Sequence, residues 1–296
     1  MLPKSKEKTK SSDVANFLTS TGFIFEMEVA EFLKNNNYQV MVNQKFLDLE
    51  KNKKRDIDII AIKEINKILI HLIIECKQSL YKDWIFICSD KESPRYYYAV
   101  KHFPLIRDLR KSSIFDALHN FDRSIPLAQN YIAFHKRKGK KTSGKQIDEC
   151  LFKLPKALLQ VASNASSKVK NVFFPIGLFS GQMFIVNYNK KLLVKEKKLI
   201  TYSIDFESRF YKPKKENINQ NRLTDESFHY DPDEELEKTE INGITETAKL
   251  LGKRYQIDFI NRTGLGEYLN LIEKEICKIS SKKWTFNTVK RLKTKV

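Results

Sequence analysis

The chain has 296 residues with 54 Lys and Arg against 36 Asp and Glu, a formal net charge of +18. A hydrophobic fraction of 41% with 11% aromatics is enough for a sizeable core, and only nine Gly and eight Pro exclude collagen-like and low-complexity classes. The four cysteines, Cys76, Cys88, Cys150 and Cys277, include no CxxC pair, which excludes a disulfide framework or a zinc ribbon and fits a reducing cytoplasm.

Residues 1–12 carry Lys4, Lys6, Lys8 and Lys10 against Glu7 and read as a disordered basic arm. No apolar run of signal-peptide length follows, and none approaches the ~20 residues of a membrane span, so a soluble, unexported chain is expected. After Ser20-Thr21-Gly22, the spacing of Phe25, Val29, Phe32 and Leu33 predicts an amphipathic helix ending near Asn35-Asn36-Asn37. Tyr38 to Phe46 alternates as a strand. A polar turn with Lys51, Lys53, Lys54 and Arg55 leads to two β-branched runs, Ile57 to Ile62 and Lys67 to Lys77, which read as a hairpin turning around Glu64 to Asn66.

Leu105 to Asn120 and Gln146 to Asn164 read as helices, the second kinked or divided at Pro155. Leu127 to Phe134 reads as a strand. Val172 to Phe179, Met183 to Tyr188 and Leu199 to Phe206 read as a β-meander, its first pair turning at Ser180-Gly181-Gln182. A strand over Tyr255 to Ile260 and a helix over Gly266 to Ile279 follow. Hairpins mixed with helical crossovers give an α/β sandwich with a mixed sheet flanked by helices. The expected division is a core at 13–135, a basic loop at 136–145, an α/β extension at 146–222, an acidic linker or insertion at 223–252 and a final strand, helix and basic tail at 253–296.

Charge points to a polyanionic partner, nucleic acid above all. Lys136, Arg137, Lys138, Lys140, Lys141 and Lys145 lie in one glycine-containing block without an apolar residue and are candidates for phosphate contact. Lys278 to Lys295 forms another basic stretch. Asp231-Pro-Asp-Glu-Glu-Leu-Glu runs the other way as a solvated acidic segment.

The chemistry-bearing residues lie in Arg55-Asp56-Ile57-Asp58-Ile59-Ile60-Ala61 and Ile70-His71-Leu72-Ile73-Ile74-Glu75-Cys76-Lys77-Gln78. Alternation along a strand puts Glu75 and Lys77 on one face, and Asp56 and Asp58 on one face. Charges inside such apolar runs need partners, because an unpaired buried charge costs several kcal/mol. Carboxylates beside a lysine suit phosphodiester hydrolysis: the acids hold Mg²⁺ or Mn²⁺, the metal activates water, and the lysine orients that water or stabilises developing charge.

On these residues the chain resembles the PD-(D/E)xK nuclease superfamily, over Gly22 to Gln78: a helix bearing a glutamate, a strand, an aspartate on the next strand, and Glu75-Cys76-Lys77 on the third. The resemblance implies the restriction-endonuclease-like fold, with the meander as an extension. It implies Asp58 and Glu75 as metal ligands with the Cys76 main-chain carbonyl, Lys77 as the catalytic lysine and Glu26 as the helical acid. Arg55-Asp56-Ile57-Asp58 replaces the family's Pro-Asp, leaving Asp56 as an alternative to Asp58. On the helix, Glu26 lies about 60° from the centre of the apolar stripe, against about 100° for Glu28 and about 160° for Glu31.

Gln78 is a candidate for orienting the lysine or the water. Histidines 71, 102, 119, 135 and 229 show no metal-ligand spacing, and His71 reads as core or sheet surface. Tyr96-Tyr97-Tyr98 could stack on bases or pack a core. The expected function is a Mg²⁺-dependent (or Mn²⁺-dependent) DNA endonuclease of a prokaryotic restriction or phage-defence system, cytoplasmic, acting as a homodimer or with a defence-system partner. The alternatives are an RNA or tRNA nuclease with the same centre and a non-catalytic nucleic-acid-binding subunit.

Overall fold

The computed structural model of the chain describes residues 11–51, 53–88, 97–100, 114–117, 125–165, 169–189, 191–205, 244 and 254–281. Helix α1 (Ser11–Thr21) is followed at once by α2 (Phe23–Asn35). The break between them is Gly22, whose φ of 86° is open to glycine at little steric cost and which starts α2 without a side-chain cap. Phe25, Val29, Ala30 and Leu33 are buried, whereas Phe32 is exposed, so the apolar stripe turns through Ala30 instead.

Among the described residues, ten strands run across one mixed sheet. They are β1 (Gln39–Asp48), β2 (Lys53–Ile65), β3 (Ile68–Lys77), β4 (Lys82–Cys88), β7 (Leu127–His135), β9 (Lys170–Phe179), β10 (Met183–Asn189), β11 (Lys191–Glu196), β12 (Leu199–Asp205) and β13 (Arg254–Asn261). Their order is β1-β2-β3-β9-β13-β12-β7-β4-β10-β11. The short strands β5 (Tyr97–Val100), β6 (Ile114–Ala117) and β8 (Lys140–Thr142) attach to β9, β5 and β7 respectively. The pairs β3/β9, β9/β13, β7/β12 and β4/β10 are parallel, and the remainder antiparallel.

Helices cover both faces. On one, α3 (Lys145–Ser163) packs Leu151, Leu154 and Leu158 into a core with Trp84, Phe173 and Phe259. On the other, α2 and α4 (Leu265–Ser281) pack Leu33, Leu269 and Ile272 over Ile70, Leu72 and Ile74. Strand β3 is therefore covered on both sides, as befits an interior strand, with His71, Glu75 and Lys77 on the face toward α3. The architecture is an α/β sandwich built on a large mixed sheet. Among the described residues no helix is long and apolar enough to cross a membrane.

Several expectations are corrected. The meander is not formed: β9 lies between β3 and β13, while β10 pairs with β4 and β11, so the turn at Ser180-Gly181-Gln182 joins two strands that do not pair with each other. Apolar runs joined by a short turn read alike whether or not they pair. Residues 114–117, expected within a helix, form strand β6 on β5, and the rest of that segment before Ile114 lies outside the described residues. Ser11 and Ser12, expected in the basic arm, open α1. Pro155 does not divide α3, which runs unbroken from Lys145 to Ser163.

The basic block is not a loop throughout. Lys136–Lys138 form a 3-10 turn, Gly139 takes a φ of 57°, and Lys140–Thr142 pair back on β7. Strand β4 is an addition to the expected elements. The arm at 1–10, the acidic segment at 231–240, the tail at 282–296, Tyr96, His102, His119 and His229 lie outside the described residues.

Candidate active site at a fork in the sheet

Strand β2 pairs with β3 from Ile65/Ile68 to Ile59/Ile74 and then parts from it. Beyond that point β2 stays with β1 as far as Lys53, and β3 stays with β9 as far as Lys77. The sheet therefore forks at Asp58 and Glu75. A fork strands backbone groups that a continuous ladder would pair. The Cys76 N–H, facing the lost partner, instead donates to Asp58 Oδ2 at 2.6 Å. In an extended strand the N–H and C=O of one residue point to the same edge, so the Cys76 carbonyl faces the fork too.

Glu75 lies on the α3 face with no exposed surface. Its Oε1 accepts from Lys77 Nζ at 2.8 Å and from Lys153 Nζ at 2.6 Å, whereas its buried Oε2 has no hydrogen-bond partner. Lys77 also pairs with Glu149 Oε2 at 2.9 Å. Burial works against the Lys77 ammonium, but Glu75 and Glu149 outweigh it and hold its pKa well above the ordinary lysine value. Lys77 is thus a fixed cation.

Burial first, and then Glu75 and Glu26, push the Asp58 pKa up to about 7 despite the Cys76 hydrogen bond. Glu26, half-buried on α2, is raised by burial and by Glu75. Glu28 and Glu31 on the same helix are exposed, and Glu28 pairs with Arg262 at 3.2 Å. Asp56 is exposed on β2. The fork thus brings Glu26, Asp58, Glu75 and Lys77 together and leaves Asp56 outside.

The helix α3 contributes side chains that reading the sequence missed. Gln146, Glu149, Lys153, Lys156 and Gln160 recur every three or four residues and so form one stripe toward the sheet. Gln146 Nε2 donates to the Gln78 carbonyl at 3.0 Å, Glu149 and Lys153 reach Lys77 and Glu75, and Lys156 Nζ meets Asp48 Oδ1 at 2.5 Å. Gln160 Oε1 accepts from the Leu47 N–H. This spacing was the available signal: polar residues at heptad positions within an otherwise apolar helix face.

Gln78 keeps its side-chain Oε1 buried and without a hydrogen-bond partner. His71 is core: its Nε2 lies 2.9 Å from Asn171 Oδ1, its ring stacks on Phe173, and burial lowers its pKa. The six basic residues from Lys136 to Lys145 are exposed on the hairpin that leads into α3. Two have local partners, Lys136 pairing with Asp83 at 3.0 Å and Arg137 lying 3.7 Å over the Tyr81 ring.

Among the described residues no group of three or more His, Cys, Asp and Glu side chains stands arranged to hold a metal ion. Two features nevertheless fit a hard divalent cation: the unpartnered buried Glu75 Oε2, and an Asp58 carboxylate whose negative form is opposed first by burial and then by its acidic neighbours.

Fold and site together define an α/β protein with a buried acid–lysine cluster at a sheet fork. Comparisons with protein-family models, curated proteins and solved structures find no match.

Proposed function

We propose that the chain is a Mg²⁺-dependent nuclease with a centre of PD-(D/E)xK type on a restriction-endonuclease-like core. The observation that carries this is the meeting of Asp58 and Glu75 at the fork, with Lys77 two residues on and Glu75 Oε2 left without a partner. Asp58, Glu75 and the Cys76 carbonyl would hold the cation, with Glu26 as a further carboxylate. A bound Mg²⁺ or Mn²⁺ supplies an activated water and neutralises phosphate charge.

The protein's own groups do the rest. Lys77, fixed by Glu75 and Glu149, presents an ammonium that orients the attacking water and stabilises the charge developing on phosphorus. The exposed basic hairpin attracts the phosphate backbone and joins directly to the helix lining the site. The substrate we favour is duplex DNA, cut in the cytoplasm by a homodimer or with a defence-system partner, since severing both strands calls for two centres. The role we favour is prokaryotic restriction or phage defence.

The two ammonium groups on Glu75 favour a second reading, a non-catalytic nucleic-acid-binding subunit in which Lys77 and Lys153 simply neutralise that carboxylate. Incubating purified protein with plasmid, single-stranded DNA and RNA, each with Mg²⁺, Mn²⁺, Ca²⁺ or EDTA, separates the readings. The nuclease cleaves with Mg²⁺ or Mn²⁺ and binds without cleaving in Ca²⁺; the binding subunit binds and never cleaves.

A further inference from the structure

Glu75 holds two ammonium groups on one oxygen and none on the other, and the two lysines are not equivalent. Lys77 is anchored by both Glu75 and Glu149, on its own strand and on α3. Lys153 reaches Glu75 Oε1 from α3 at 2.6 Å, and 21% of its side chain is exposed. Glu75 Oε2 is sealed from solvent. A cation that takes both Glu75 oxygens beside Asp58 needs an ammonium on Oε1 to move, and it would face the charge of whichever lysine stays.

We propose that Lys153 is a tethered counter-ion that occupies the place of the divalent cation at Glu75, and that it passes to a phosphate of the bound nucleic acid when the cation arrives. This rests on the nuclease reading of the same site. Lys77 cannot play the part, because Glu149 holds it at the site and Glu75 would still keep Lys153. Lys153 has a long flexible stem, solvent on one side, and a starting point one turn along α3 from Glu149. The exchange explains how a carboxylate with no exposed surface can be charged in the resting protein and still be available to a metal. It also ties cation binding to the presence of a polyanion, since Lys153 gains a phosphate partner only when nucleic acid is bound.

The test compares wild type with Lys153→Met and Lys153→Arg, all as the full chain with folding checked by thermal denaturation. Mn²⁺ binding without nucleic acid is read by electron paramagnetic resonance. Affinity for a duplex oligonucleotide is read by titration in Ca²⁺. Lys153→Met should bind Mn²⁺ at least fivefold more tightly, because the competing ammonium is gone, and bind duplex at least threefold more weakly. Lys153→Arg should keep both near wild type. Mn²⁺ binding by Lys153→Met that is unchanged or weaker overturns the counter-ion role, and unchanged duplex affinity overturns the transfer to phosphate. If wild type and both variants bind no Mn²⁺, the metal-dependent reading itself fails, and the counter-ion role with it. Should Lys153→Met not fold, Lys153→Gln serves in its place with the same expected directions.

Discussion

Asp58 and Cys76 are joined across the fork by a carboxylate–backbone hydrogen bond of 2.6 Å, one residue beyond Glu75 and one before Lys77. The bond caps the backbone group left by the parting strands and fixes the Asp58 carboxylate beside the buried Glu75. It does not offset the cost of burying that charge, and the Asp58 pKa stands at about 7.

A pH dependence follows. An acid whose pKa rises on folding, here from 3.8 to about 7, binds more protons folded than unfolded between those values. Stability contributed at this site therefore falls as pH rises through that window and stays lowered above it. The loss is about 1.4 kcal/mol for each pH unit the window spans, before solvent screening. Asp58→Asn should raise Tm relative to wild type at pH 8 and match it at pH 4. Asp56→Asn should leave the curve unchanged. A cation that binds the ionised form should raise the Tm of wild type, not of Asp58→Asn, and lose affinity below about pH 7. Identical Tm profiles for wild type and Asp58→Asn would remove Asp58 from the site.

A second buried ion pair should behave as structure alone. Asp48, without exposed surface, is held by Lys156 and by Arg55 at 2.7 Å, and Lys156 also meets Glu50 at 2.9 Å. Removing one partner of such a pair leaves an uncompensated charge and costs about 3–5 kcal/mol. Asp48→Ala should lose stability on that scale in chemical denaturation, with the metal affinity of the folded fraction unchanged.

The polar stripe of α3 shows what sequence could and could not yield. Strands β1, β2 and β3 were legible because β-branched runs and their turns are local signals, and Glu75 and Lys77 shared a face by alternation alone. The preference for Glu26 over Glu28 and Glu31 came from helical geometry, and Glu26 is the one turned toward the cluster. Lys153 and Glu149 were not legible, since they meet β3 only through a pairing of distant segments. The position of β9 escaped for the same reason: parallel pairing with β3 leaves no local trace. Gly177 on β9, opposite Glu75, marks it only afterwards, because a Cβ there would come within 2.6 Å of the Phe259 ring.

The basic hairpin gives a salt-dependence prediction. Lys136 and Arg137 have protein partners in Asp83 and Tyr81, so Lys138, Lys140, Lys141 and Lys145 should make most of the phosphate contacts. Each contact steepens the fall of affinity with salt by about 0.9 log units per log of salt on duplex, and about 0.7 on single strands. Replacing these four by Ser or Gln should flatten the slope, measured in Ca²⁺, by about three to four units on duplex if all four touch phosphate. A slope that changes only on truncating residues 282–296 would place the phosphate path there.

Cleavage of plasmid DNA in Mg²⁺ by wild type and Lys77→Ala, with EDTA as the control, tests a metal-dependent centre at the fork most directly. The loss of one charge-stabilising contact made in the transition state is worth about 2.7–4 kcal/mol, so Lys77→Ala should cut at least ~10²-fold more slowly at similar duplex affinity. Cleavage by wild type that survives EDTA, or a folded Lys77→Ala protein that cuts at the wild-type rate, would contradict that assignment.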